Sequence, residues 1–100
     1  MNSRFKPGDI VKHFKRDMMT PEELAANPTA YLYEIIGCAK HTETKEEVMV
    51  YRTLYTIVKN NIKAGEIYVR PLAMFESLVD KEKYPEATQK YRFERFGLDL

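Results

Sequence analysis

A chain of 100 residues, 44% hydrophobic and 31% charged, has the size of one ordinary domain and the composition of a soluble globular protein, not a disordered or membrane one. Its apolar runs are far too short to span a bilayer, and its single cysteine, Cys38, allows no internal disulfide and fits a reducing cytoplasm. The formal net charge is +1 and the sequence pI near 7.8, far below the range of a dedicated nucleic-acid binder.

The opening MNSRFKPGDIV lacks the apolar core of a signal peptide, so a cytoplasmic location is expected. Pro7-Gly8-Asp9 reads as a turn that feeds a first strand over Ile10–Phe14, with Ile10 and Phe14 on one face and Val11 and His13 on the other. Residues 16–30 read as an insertion between strands. Within it, Thr20-Pro21-Glu22-Glu23 combines an N-cap threonine, a proline at the first helical position and a glutamate three residues after the cap. Asn27-Pro28 ends this helix after scarcely two turns. It must pack on something to persist, and Met18, Met19 and Leu24 are its available anchors.

Tyr31 to Tyr55, YLYEIIGCAKHTETKEEVMVYRTLY, predicts the hairpin around which the chain is built. Aromatic and β-branched residues fill both arms, and His41–Glu47 forms a polar turn. A turn centred near Thr44 puts Leu32, Glu34, Ile36 and Cys38 on one face with Val48, Val50, Arg52 and Leu54. Tyr31, Tyr33, Ile35, Met49, Tyr51 and Tyr55 share the other. Residues 56–66 follow as a long loop or hairpin tip, and Ile67-Tyr68-Val69 as the next strand. Pro71 opens one or two helical turns, on the spacing of Leu72, Phe75, Leu78 and Val79. Asp80–Gln89 alternates in charge sign as a solvated segment does, and Tyr91–Arg95 reads as a last strand pairing near the first. Residues 80–100 are thus a partly irregular tail.

Charge is spread unevenly along this order. Residues 1–16 carry five bases against Asp9, a net +4, while residues 17–47 carry Lys40 and Lys45 against seven acids, a net −5. A basic head beside an acidic middle marks an anionic partner or two segments that neutralise one another, and the second reading is preferred.

Cys38 and His41 have the spacing of half a zinc site, but no second pair completes a four-ligand shell, so no metal and no cofactor are expected. Cys38 reads as a small buried hydrophobe. Glu34 and Arg52 fall on the same otherwise apolar face and are expected to form a structural ion pair. The alternative is that Arg52, with Arg70, is aimed at a ligand carboxylate or phosphate. The tyrosine face of the hairpin can hold a small ligand or stack bases, or be half-buried core. No Walker-type loop, GxGxxG, HExxH or GxSxG occurs, so no motif argues for an enzyme.

On PGDIVKHFK, YLYEIIGCAKHTET, VYRTLY, YVRPLAMF and YRFE, the chain resembles the small bacterial family known as domain of unknown function 1653. The resemblance covers most of residues 5–94 and implies one mainly β domain, an SH3-like small β-barrel with short helical insertions, and no established reaction. Its pattern has shorter links where residues 16–30 and 56–66 stand, and a glycine in place of Lys45. By motif match it carries over His13, Tyr33, Glu34, His41, Tyr51, Arg52, Tyr55, Arg70 and Arg92 as positions to test.

Three functions are therefore expected in order. The first is a binding or adaptor module whose Tyr/Arg-lined surface, drawn from His13, Tyr33, His41, Tyr51, Arg52, Tyr55, Arg70 and Arg92, engages a peptide, a protein or a small anionic ligand. A nucleic-acid binder using Lys12, Lys15 and Arg16 is the second. The third, a small enzyme built on His41, Glu34 and Arg52, requires those three to converge.

Overall fold

Leu32–Lys40 (β2) and Glu47–Thr53 (β3) form a long antiparallel hairpin in the computed structural model, which describes residues 3–97. The hairpin is the centre of a five-stranded antiparallel sheet completed by Ile10–His13 (β1), Ile67–Pro71 (β4) and Phe93–Arg95 (β5), in the order β4-β3-β2-β1-β5. The fold is mainly β, with two short helices, Pro21–Ala26 (α1) and Leu72–Phe75 (α2). The sheet is not closed into the barrel expected of it. β4 and β5 lie at opposite edges, and the chain between them turns away as α2 and then folds back on itself, Val79 N–H donating to Lys90 C=O and Arg92 N–H to Ser77 C=O at 2.9 and 2.8 Å. β5, three residues long, pairs with β1 alone.

The hairpin turn spans the expected residues, with Lys40 opposite Glu47 as the last rung. Tyr33, Glu34 and Ile35 face Thr53, Arg52 and Tyr51. The register then slips by one between Ile35 and Gly37, a β-bulge at Ile36, and resumes as Gly37 opposite Val50 and Cys38 opposite Met49. This extra residue corrects the expected faces: Cys38 leaves Glu34's side of the sheet and packs half-buried on the core beside Met49. Gly37 follows the bulge with φ of 155°, a conformation that L side chains rarely adopt.

Side chains of Val11, Tyr33, Ile35, Met49, Tyr51 and Phe93 line the buried inner face. Phe75 of α2 stacks on Phe93 with ring centres 3.9 Å apart and planes 7° apart, and Phe5 meets Phe75 edge-on at 5.9 Å. Phe14 does not continue β1 as expected. It opens a 3-10 helix over Phe14–Met18 and packs against Tyr84, Val79 and Ala87. The reading of 80–89 as wholly solvated is corrected accordingly: Ala87 and Gln89 are buried, because Phe14 needs a cover that the sheet does not supply.

α1 begins as its sequence dictates. Thr20 Oγ1 accepts from Glu23 N–H at 3.1 Å while Glu23 Oε1 accepts from Thr20 N–H at 2.8 Å. The helix buries no residue. The outer face of β4 leaves Ile67 and Val69 54% and 63% exposed. No helix among the described residues is long and apolar enough to cross a membrane.

Candidate functional site

Strand parity gathers His13, Tyr33, Tyr51 and Arg70 on one side of the sheet, and Tyr55 and Arg92 join them from outside the strands. β1 contributes His13, β2 Tyr33 and β3 Tyr51, with Tyr55 just beyond β3; β4 contributes Arg70, and Arg92 enters immediately before β5. The Tyr33 and Tyr55 hydroxyls share a hydrogen bond of 2.8 Å. Burial and this bond push the Tyr33 phenol far above its ordinary pKa, so it stays protonated. Tyr31 borders the group, its ring 5.6 Å from Tyr55 and 6.0 Å from His13. Its φ is 62°, a left-handed backbone that costs a bulky residue roughly 1–3 kcal/mol. The His13 N–H, donating to Tyr31 C=O at 3.0 Å, helps hold it there.

His13 is buried edge-on to Phe93, with ring centres 5.0 Å apart. Its Nδ1 accepts the Lys15 N–H at 3.1 Å, so the ring proton of the neutral imidazole sits on Nε2. Burial holds its pKa down at about 3, and the charges of Arg70, Arg92 and Lys15 add to the effect. His13 is therefore a neutral donor at physiological pH.

Both arginines are anchored through Nε. Arg70 donates it to the Tyr51 hydroxyl at 3.3 Å and holds its guanidinium carbon 5.6 Å from the centre of Phe93. Arg92 donates to Ser77 Oγ at 3.2 Å. The ion pairs among the described residues are Arg52–Glu34 and Arg95–Asp9, so neither Arg70 nor Arg92 has a carboxylate partner there. Burial, then the charge of Arg70, lowers the pKa of Arg92.

The hydrogen-bond inventory is lopsided. The terminal nitrogens of Arg92 have no acceptor among the described residues, and Arg70 adds one long contact of 3.8 Å to Met74 Sδ. Tyr51 accepts from Arg70 and, among the described residues, finds no acceptor for its own proton. His13 Nε2 finds none either. Donors outnumber acceptors among these described side chains, an arrangement that can accept an oxyanion.

A family model for a protein of unknown function, DUF1653, matches residues 9–96. The chain belongs to the DUF1653 family. No curated protein and no solved structure matches it. The DUF1653 match takes in all five strands and each of the clustered side chains.

The remaining expected residues of this DUF1653 chain lie elsewhere. Arg52 projects from the outer face, opposite Arg70, and makes one 3.1 Å contact with Glu34, the two side chains 42% and 34% exposed. His41 sits in the hairpin turn, where its Nδ1 accepts from Glu43 and Thr44 N–H at 3.2 and 3.3 Å. It lies seven residues along from Glu34, roughly 20 Å away in extended chain. His41, Glu34 and Arg52 thus do not converge. Lys12 also falls on the outer face, between Leu32 and Glu94. Among the described residues no three His, Cys, Asp or Glu side chains are grouped to hold a metal.

Phe93 and Ser77 belong to the cluster without having been singled out as site residues, and Tyr31, weighed only as part of the tyrosine face, borders it. Phe93 is the aromatic floor and Ser77 the anchor of Arg92. Neither role leaves a local signal, since each depends on a fold-back that closes late in the chain.

Proposed function

We propose that this DUF1653 chain is a binding module for a small anionic ligand, held by Arg70 and Arg92 with Tyr51 and His13. The surplus of donors over acceptors around two carboxylate-free guanidiniums carries the reading. A guanidinium fixed at Nε offers its two terminal nitrogens as a fork, the geometry suited to bidentate binding of an oxyanion. A cytoplasmic setting is supported by the lone half-buried thiol of Cys38. The nucleic-acid alternative gains less support, because Lys12 lies on the outer face and Arg16 is engaged with Ala30 C=O at 2.8 Å.

The test is an NMR titration of the labelled protein with phosphate, sulfate and citrate at low salt. Arg side-chain and β4–β5 amide signals should move at up to about 10 mM anion, a range proper to weak single-site binding. Replacing both arginines, Arg70→Gln with Arg92→Gln, should weaken binding roughly tenfold or more while circular dichroism stays unchanged. Shifts confined to other surfaces, or an undiminished response in the double variant, would sink the assignment.

A further inference from the structure

The same donors restrict the class of anion, an inference that rests on the anion-binding reading above. Three observations narrow it. First, Arg70 holds its guanidinium carbon 5.6 Å from the Phe93 ring, Arg92 is the chain neighbour of Phe93, and neither is in an ion pair among the described residues, so one negative charge on the ligand leaves the site under-compensated. Second, two guanidinium forks, the Tyr51 O–H and the His13 Nε2–H supply more donors than the roughly four lone-pair sites of a carboxylate can take. Third, these donors come from β4, the segment before β5, β3 and β1. Arg70 and His13 both lie against the Phe93 ring, at 5.6 and 5.0 Å, so donors from separate elements meet over one aromatic floor, and a group with three acceptor oxygens can engage more of them than a carboxylate with two.

We infer that the ligand is a small phosphomonoester bound as its dianion. A phosphomonoester carries about −1.5 to −2 charges near neutral pH and three strong acceptor oxygens. Its organic substituent has a surface to rest on: Tyr31 stays half-exposed beside His13 and Tyr55, its ring kept there by a left-handed backbone.

The decisive comparison uses the wild-type protein with phenyl phosphate, phenyl sulfate and benzoate at pH 7.5 and one ionic strength, followed by calorimetry and by the Arg Nε–H signals. Phenyl phosphate is the dianion, phenyl sulfate its tetrahedral monoanionic counterpart, and benzoate the planar one. Phenyl phosphate should bind roughly tenfold or more tighter than either, the effect of one extra charge at contact distance in partial burial. Equal affinity for phenyl sulfate or benzoate overturns the dianion assignment and leaves the anion site standing. Silence of the Arg70 and Arg92 signals with all three overturns both.

A fourth arm addresses the ester. Tyr31→Gly relieves the backbone strain that tyrosine bears there, so the variant is expected to fold. It should weaken phenyl phosphate several-fold, by loss of the ring face, and leave inorganic phosphate unchanged. A parallel loss for both ligands removes the case for an organic substituent at Tyr31.

Discussion

His13 shows how one side chain can be tuned by its place in the sheet. Its folded pKa of about 3 lies below the ordinary 6.5, so as the pH falls the unfolded chain takes up a proton that the folded chain refuses. The stability linked to His13 is complete above pH 6.5 and is lost progressively as the pH falls toward 3, at up to about 1.4 kcal/mol per pH unit. The variant His13→Asn keeps an acceptor for the Lys15 N–H and cannot titrate. Urea unfolding at pH 7 and 4.5, in buffer free of phosphate, should show the wild type losing about 2 kcal/mol more than the variant across that interval. Equal losses would mean that the folded protein accommodates the imidazolium. The placement of His13 on Val11's face was legible from β alternation alone. Its lowered pKa was not, because it depends first on burial and then on the charges of Arg70 and Arg92, which arrive from distant parts of the chain.

At the scale of elements, the hairpin was legible in composition and turn position, and its bulge was not. Ile35-Ile36-Gly37 alternates no differently from a regular strand, yet the slip at Ile36 moves every later β2 side chain to the other face, Cys38 among them. Glu34 and Arg52 precede the slip and pair directly, on the shared face expected of them, where a turn centred on Thr44 would have set Glu34 opposite Leu54. Arg52 and Arg70 could not be told apart by residue type: β3 turns one outward to Glu34 and β4 turns the other inward to Tyr51. The turn itself carries a testable local strain. Lys45 has φ of 64°, at the position where the family resemblance sets a glycine, and Lys45 N–H donates to His41 C=O at 2.8 Å. Left-handed backbone costs an L residue roughly 1–2 kcal/mol, of which glycine's greater chain entropy returns part. Lys45→Gly should therefore stabilise the fold by about 0.5–1 kcal/mol in chemical denaturation and leave anion affinity unchanged, since the turn supplies none of the donors attributed to the Arg70–Arg92 cluster. A destabilised variant would show that the lysine side chain contributes more than its backbone costs.

For the whole molecule, the open sheet and the near-balanced charge bear on the same question. Closure was beyond the sequence because it depends on where β4 and β5 end relative to each other, and the fold-back from Ser77 to Arg92 occupies the chain that a closing strand would need. That fold-back anchors Arg92 on Ser77, so the same departure from a barrel that leaves two sheet edges also supplies the second arginine of the proposed anion site. With a net charge of only +1, the protein as a whole exerts little long-range pull on anions, and affinity should depend on the local pair. Binding of a small dianion should then weaken only several-fold between about 50 and 500 mM salt, because closely held, partly buried charges are screened less than exposed ones. A nucleic-acid binder tracking many phosphates would lose affinity by orders of magnitude over a similar range. Measuring phenyl phosphate and a single-stranded oligonucleotide side by side across this salt series separates the cases: a shallow slope for the small ester with negligible oligonucleotide binding supports the two-arginine site, and a steep slope with tight oligonucleotide binding would move the functional surface away from it.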